Sequence, residues 1–254
     1  MTAQGWPGYL DEFHTRYAGI TERVLCRARA ADGDAYDWLA AAIPTHARVL
    51  DVACGNGPLW TRLAAPDYVG VDVNMGELDA ARRRGVGRLI RASVAALPIR
   101  DHSVGVVACS MALHVLTPLP DALAELGRVL ALDGRMVATM PARGPMRTRD
   151  LPVVAGLLAA LGRGLGYPND DPLRTRLPSL LDQAGLRMVA DDRRCYHFPL
   201  RGKADAELFL ASLYLPDLAE RRRRAAHTYL LGLVRTRTSL PVPVRRIITV
   251  SSRQ

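Results

Sequence analysis

The chain has 254 residues, enough for one sizeable core, and its 49% hydrophobic and 23% charged residues are ordinary globular usage. No apolar run reaches the length of a membrane span, and Met1–Phe13 lacks a charged start followed by an apolar stretch, which points to a cytosolic protein. The net charge of +9 is almost all arginine, since Lys203 is the only lysine; its densest run, Arg221–Arg224, suits the solvated face of a helix better than a nucleic-acid surface. Cys26, Cys54, Cys109 and Cys195 are scattered without a C-x-x-C pair, so neither a disulfide framework nor a bound metal is expected.

In chain order, residues 8–31 and 34–43 have helical patterns and precede a first strand at Arg48–Val52. A second strand, Tyr68–Val71, ends in Asp72. The helix after it is bracketed by Asn74 as N-cap, Glu77 three residues later and Gly85 as the stop. Gly87–Ala92 reads as a third strand, and a Val- and Ala-rich fourth ends near Ser110. A helix, an Asp133-Gly134 turn and a fifth strand at Arg135–Thr139 follow. Further on, Leu177–Leu200 reads as a helix capped at Gly185 and a sixth strand. Residues 204–214 and 218–236 are amphipathic, and Val244–Arg253 is a β-branched final strand. Strands alternating with helices predict a parallel α/β sheet with helices on both faces.

The stretch VLDVACGNGPLW, Val49 to Trp60, places an acid and two glycines directly after an apolar strand. A phosphate-cradling P-loop would need Lys after its last glycine, but Gly57 is followed by Pro58 and Leu59. A dinucleotide fingerprint would need a third glycine where Trp60 stands. An acid at the strand end instead suits a ligand with a cationic group, and a second acid, Asp72, lies 21 residues on, where a ribose would need its acceptor. S-adenosylmethionine (SAM) has an ammonium, an apolar body and a ribose. A generic Rossmann-type nucleotide enzyme is the alternative that the motif leaves open.

With its D-x-A-C-G-x-G loop and the acid after the second strand, the sequence resembles the class I SAM-dependent methyltransferases, in their small-molecule branch that methylates quinones and natural products. The resemblance implies a Rossmann-like seven-stranded mixed sheet whose last strand runs antiparallel beside the fifth. It also implies one domain over residues 1–254: an N-terminal helical lid at 1–45, a SAM-binding core at 46–141, and a substrate-side half at 142–254 with a helical insertion at about 203–236 over the cofactor end. Asp51 would engage the methionine ammonium, Ala53, Cys54, Gly55 and Gly57 would allow close backbone approach, and Asp72 would accept from the ribose with Val73 packing on adenine. The family's D-A-x-x-L-P loop is here Ser93-Val94-Ala95-Ala96-Leu97-Pro98, which puts Ser93 where the acid would be and Val94 beside it. Cys109 and Ser110 would border the methionine and the acceptor.

Methyl transfer from a sulfonium is an in-line displacement that chiefly needs alignment and exclusion of water, so a strong cofactor signature and a weak catalytic one are expected. His114, four residues beyond Ser110, and His14 on the N-terminal segment are the candidate bases, with a packed structural histidine as the competing reading of His114. Tyr17 and Thr21 share the segment of His14, and His197 reads as structural. The family's Asn/Asp-Pro-Pro-aromatic sequence for amine acceptors and its acidic metal set for catechols are both missing after the fourth strand, where the chain reads CSMALH. The expected reaction is therefore O-, N- or C-methylation of a small molecule, with S-adenosylhomocysteine as product. The arginine-rich bias fits a GC-rich bacterium with secondary metabolism, and the protein would be a monomer or homodimer. The alternatives are a SAM-binding cyclase or binding protein that transfers no methyl, and an RNA methyltransferase.

Overall fold

A computed structural model describes residues 5–252 except 64 and 66; the outermost residues of the expected 1–254 domain, 1–4 and 253–254, lie outside the described residues. Seven strands form one sheet: β1 (Val49–Val52), β2 (Tyr68–Asp72), β3 (Leu89–Arg91), β4 (Val104–Ser110), β5 (Leu130–Pro141), β6 (Leu186–Pro199) and β7 (Ser239–Ser251). Their order is β3-β2-β1-β4-β5-β7-β6. The first five run parallel, whereas β7 is antiparallel to both β5 and β6. This is the expected mixed sheet.

Alternation along the strands explains the layers. Val49, Val106, Ala108 and Val137 pack into one apolar cluster, and their neighbours Leu50, Val107, Cys109 and Ala138 into another on the opposite face. Successive side chains point to opposite sides of a pleated strand, so a central strand apolar at every position needs helices on both faces. On the first face lie α2 (Ile20–Arg27), α3 (Ala35–Ala40), α6 (Leu151–Leu161), α9 (Lys203–Ser212) and α10 (Glu220–Arg235). The second is covered by α5 (Leu119–Val129) and α8 (Leu177–Gln183), with Leu173 of α7 (Asp170–Thr175). The helix α4 (Met75–Arg83) follows β2, and its N-cap is Asn74, whose side chain accepts from the Glu77 backbone N–H.

Several boundaries differ from the sequence reading. The helix expected over 8–31 is two helices, α1 (Trp6–Arg16) and α2, parted at Gly19 with φ 71. A Cβ at Gly19 would run into the Asn56 side chain, so the chain passes there with glycine only. The Asp133-Gly134 turn is not a separate hairpin. It lies inside β5, which starts at Leu130 and bulges between its pairings with Val104 and Val106. The helices α6 and α7 were not anticipated. Only part of the predicted lid covers the strand ends: α10 packs on α6 and α9, away from the site. A hydrophobic cluster of Trp6, Phe13, Ile20, Val115 and Tyr214 fastens α1 to the segment after β4 and to the segment just after α9.

Candidate active site

The parallel strands β1 and β4 lie side by side, and the connections leaving them run to opposite sides of the sheet, toward β2 and β5. Such a switch point opens a crevice at the carboxyl ends of the strands. A cavity of about 440 Å³ occupies it. Its floor is made by residues following β1, β2, β3 and β4, and its roof by α1 and Tyr214.

Asp51 ends the run of β1 at 2% exposure. Its Oδ2 accepts from the Tyr68 hydroxyl at 2.6 Å, whereas Oδ1 is buried without a partner. Burial pushes the carboxyl up to about 7; the Tyr68 hydrogen bond opposes the rise and the nearby Asp72 adds to it. A lone acceptor oxygen on a buried carboxylate is costly unless a ligand supplies donors and positive charge. Asp72 sits at the end of the neighbouring β2, and both its oxygens are oriented by backbone N–H groups, Gly55 to Oδ2 at 2.8 Å and Asn74 to Oδ1 at 2.9 Å. Burial raises its carboxyl above the usual range, against the pull of those two bonds. Each oxygen keeps a second lone pair for a ligand hydroxyl.

Of the residues singled out in the sequence, Asp51, Ala53, Cys54, Gly55, Asp72, Val73, Ser93, Val94, Ser110 and His14 line the cavity together. Val73 is 57% exposed, an apolar side chain open to a flat ring. Ser93 uses its Oγ to accept from the Ala95 N–H at 3.2 Å, and Ser110 pairs with Thr139 at 3.2 Å. Three candidates do not line the cavity. Gly57 has φ 71, and a Cβ there would meet Val86 Cγ2 at 2.7 Å, so this glycine serves packing of the loop. Cys109 points into the core below β4.

His114 is the third residue off the cavity wall. It is 3% exposed, its Nδ1 has no partner, and burial drives its pKa down to about 3. The chain after β4 makes a helical turn, with Val115 and Leu116 N–H both donating to Ala112 O. Residues three and four apart share a face of such a turn. Ala112, Val115 and Leu116 therefore face the cavity, and His114 turns into the aromatic packing of Tyr167 and Tyr214.

His14, by contrast, sits in a network. Its Nδ1 lies 2.8 Å from Glu77 Oε1 and its Nε2 2.9 Å from the Tyr214 hydroxyl. Glu77, 3% exposed, also accepts from the Gly19 N–H at 3.0 and 3.1 Å. The sequence marked Glu77 as a helper in capping α4; its carboxylate instead ties α4 to α1 and to the Gly19 break. Tyr36, Asn56, Met111 and Tyr214 also line the cavity and carried no signal in the sequence. Asn56 donates from Nδ2 to Glu22 at 2.9 Å and leaves its Oδ1 buried and unpartnered. Ala53 and Met111 adopt φ 50 and 52 on the cavity wall, a left-handed conformation that side chains other than glycine rarely take.

Among the described residues one group could hold a metal: Asp150, Cys195 and His197 present ligand atoms within 4.8 Å of one another. It is outside the cavity. His197 Nε2 lies 3.2 Å from Asp150 Oδ2, which also accepts from the Arg147 N–H, so the pair holds the turn before α6 against the edge strand. No helix among the described residues is long and apolar enough to cross a membrane.

Residues 50–138, from β1 to the middle of β5, match the family described as a methyltransferase domain. The ubiquinone/menaquinone biosynthesis C-methyltransferase UbiE of Dinoroseobacter shibae is 35% identical over 45% of this chain and 51% of its own. The chain thus spans about half the length of the curated relatives it matches. Among solved structures, the YcgJ protein of Bacillus subtilis superposes with a TM-score of 0.56 at 16% identity, covering 85% of this chain and 97% of that one. The [4+2]-cyclase SpnF does so at 0.59 and 16%, covering 100% and 98%. Motif, strand order and sequence match agree over residues 50–138, which are similar to a methyltransferase domain, and the seven-stranded mixed sheet is the fold of these solved structures.

Proposed function

We propose that this protein transfers a methyl group from SAM to a small, largely apolar acceptor, with a hydroxylated aromatic ring as the best fit. The single observation that carries the SAM half is the buried, half-satisfied carboxylate of Asp51 facing the cavity beside Asp72. The residues fit the group. Asp51 Oδ1 and Asn56 Oδ1 offer acceptors to an ammonium, Asp72 to two ribose hydroxyls, and Val73 and Val94 an apolar bed for adenine. When bound, SAM supplies an electrophilic methyl on a sulfonium. The chain's own share is to bind, orient and exclude water, and α1 closing over the strand ends does the last of these.

The acceptor half rests on the other wall, where Leu10, Met111, Val115, Leu116 and Tyr214 make an apolar, aromatic surface. This suits a ring better than a sugar or an RNA base edge flanked by phosphates. The basic side chains are dispersed and many are paired, Arg62 with Asp34, Arg128 with Glu125, Arg245 with Asp191, which supports a small molecule over RNA. UbiE, named for quinone biosynthesis, points to a hydroquinone-type ring and to carbon as the nucleophile. Fold alone does not decide between transfer and mere binding, because a cyclase shares it.

The test is calorimetry with SAM followed by incubation with methyl-labelled SAM and 1,4-dihydroxynaphthalene. Asp72→Ala should weaken SAM binding by about 1–3 kcal/mol. Tight SAM binding with no label transferred to the ring or to any extract fraction would favour the cyclase or binding-protein reading. Label entering RNA instead would overturn the small-molecule acceptor.

A further inference from the structure

Beyond the binding residues, the roof of the cavity carries a hydrogen-bonded line from Glu77 through His14 to Tyr214. His14 Nδ1 lies 2.8 Å from Glu77 Oε1, and the neutral tautomer that satisfies a carboxylate there carries its proton on Nδ1. His14 Nε2 then offers a lone pair, and the Tyr214 O–H donates to it at 2.9 Å. The phenolic oxygen keeps its own lone pairs on a side chain that lines the cavity next to Val115 and Met111. The three groups come from α1, α4 and the segment just after α9.

We propose that Tyr214 is a catalytic residue that takes the acceptor's proton and hands its own to His14, which Glu77 holds in position. The proposal rests on the methyltransferase reading above. As the acceptor atom bonds to the methyl and the donor's carbon–sulfur bond breaks, an O–H of the acceptor ring loses its proton to Tyr214 Oη. The Tyr214 proton moves to His14 Nε2. The positive charge that leaves the sulfonium reappears on the imidazolium, beside the Glu77 carboxylate, and later passes to water. Burial holds the Tyr214 hydroxyl above its ordinary pKa, opposed by the Thr21 side chain and reinforced by Tyr167, Glu77 and Tyr9. His114, the other imidazole nearby, packs against Tyr167 and Tyr214 and does not line the cavity.

Single-turnover methylation of 1,4-dihydroxynaphthalene and the spectrum of bound 4-nitro-1-naphthol, whose ionisation changes its absorbance, test this without relying on activity alone. Tyr214→Phe and His14→Gln should each slow transfer by about 10²–10⁴-fold while SAM affinity stays within about threefold. Both should raise the pH at which bound 4-nitro-1-naphthol ionises. His14→Gly should recover rate with added imidazole. Tyr214→Phe at wild-type rate, or variants whose loss follows SAM affinity without rescue, would make the line a structural latch. A wild-type protein that binds SAM yet neither methylates the diol nor binds the nitronaphthol overturns the proposal too. Failure of the wild type to bind SAM would instead remove the reading beneath it.

Discussion

Asp51 should make the ligand-free protein pay for its function in a measurable way. An aspartate in an unfolded chain ionises near pKa ~3.9. In the folded protein burial lifts this one to about 7. For an acid raised by folding, the sign is that the cost is absent below the unfolded value, grows as pH rises between the two, and is complete above the folded value. About three pKa units at ~1.36 kcal/mol each give roughly 4 kcal/mol of lost stability at high pH. Between pH 5 and pH 8 the part that develops is roughly 2–3 kcal/mol. Asp51→Asn keeps an acceptor for the Tyr68 hydroxyl and removes the charge. Its local misfit, about 1–3 kcal/mol for an amide N–H without a partner, is the same at both pH values and cancels in the difference. Thermal unfolding without ligand at pH 5 and 8 should therefore show the variant gaining on wild type by roughly 2–3 kcal/mol, or about 4–12 °C in Tm for a chain of this size. SAM should at the same time lose its grip on the variant. A stability difference that is flat with pH, or that moves against the variant as pH rises, would refute the buried-carboxylate argument.

Gly57→Ala should cost about 1–3 kcal/mol of stability, because it combines φ 71 with a Cβ 2.7 Å from Val86, and should alter SAM affinity only as far as the loop shifts; denaturant unfolding and calorimetry separate the two effects. His114→Phe preserves the ring packing on Tyr167 and removes the orphaned Nδ1. Turnover should stay within about tenfold and stability within about 2 kcal/mol, and a single-turnover loss of 10²–10⁴-fold would restore His114 as the base. Methyl transfer should survive exhaustive chelation, since the one candidate ligand group among the described residues, Asp150 with Cys195 and His197, is not on the cavity wall; activity that vanishes with EDTA and returns with magnesium would reject this.

The residues that line the cavity from the strand ends were legible because they are local. Asp51 and the loop to Gly57 form one continuous stretch, and Asp72 is one strand on; strand-end acids and small loop residues carry their meaning in sequence order. The sheet was legible for a related reason: alternating apolar strands, the Asn74 cap and the Gly85 and Gly185 stops are all short-range signals. The helix α6, LPVVAGLLAAL, is apolar on every side and offered no amphipathic period, so it was missed. The roof of the site failed for another cause. His14 meets Glu77 across 63 positions and Tyr214 across 200, and no spacing rule links such pairs. His114 looked right by register alone, and one helical turn after β4 rotated it away.

What the fold spends, it spends around one crevice. Ala53 and Met111 hold left-handed backbone at the ends of the two strands that border the switch point, and Asp51 keeps a carboxylate oxygen without a donor between them. Each of these costs the empty protein on the order of 1–3 kcal/mol. Strain of this kind persists only where the surrounding structure over-determines it, and here the surroundings are a sheet buried on both faces. The rigid sheet can therefore hold one half of the site in a costly geometry that a cationic ligand relieves. The other half is carried by α1, fixed by its hydrophobic cluster and by the hydrogen bonds of His14, Glu77 and Gly19, far fewer contacts than bind a strand in the sheet. That division puts the strained positions in the floor and the side-chain network in the roof. Among the residues of the cavity that come from outside the sheet are therefore those of α1 and Tyr214, where the hydrogen-bonded line runs.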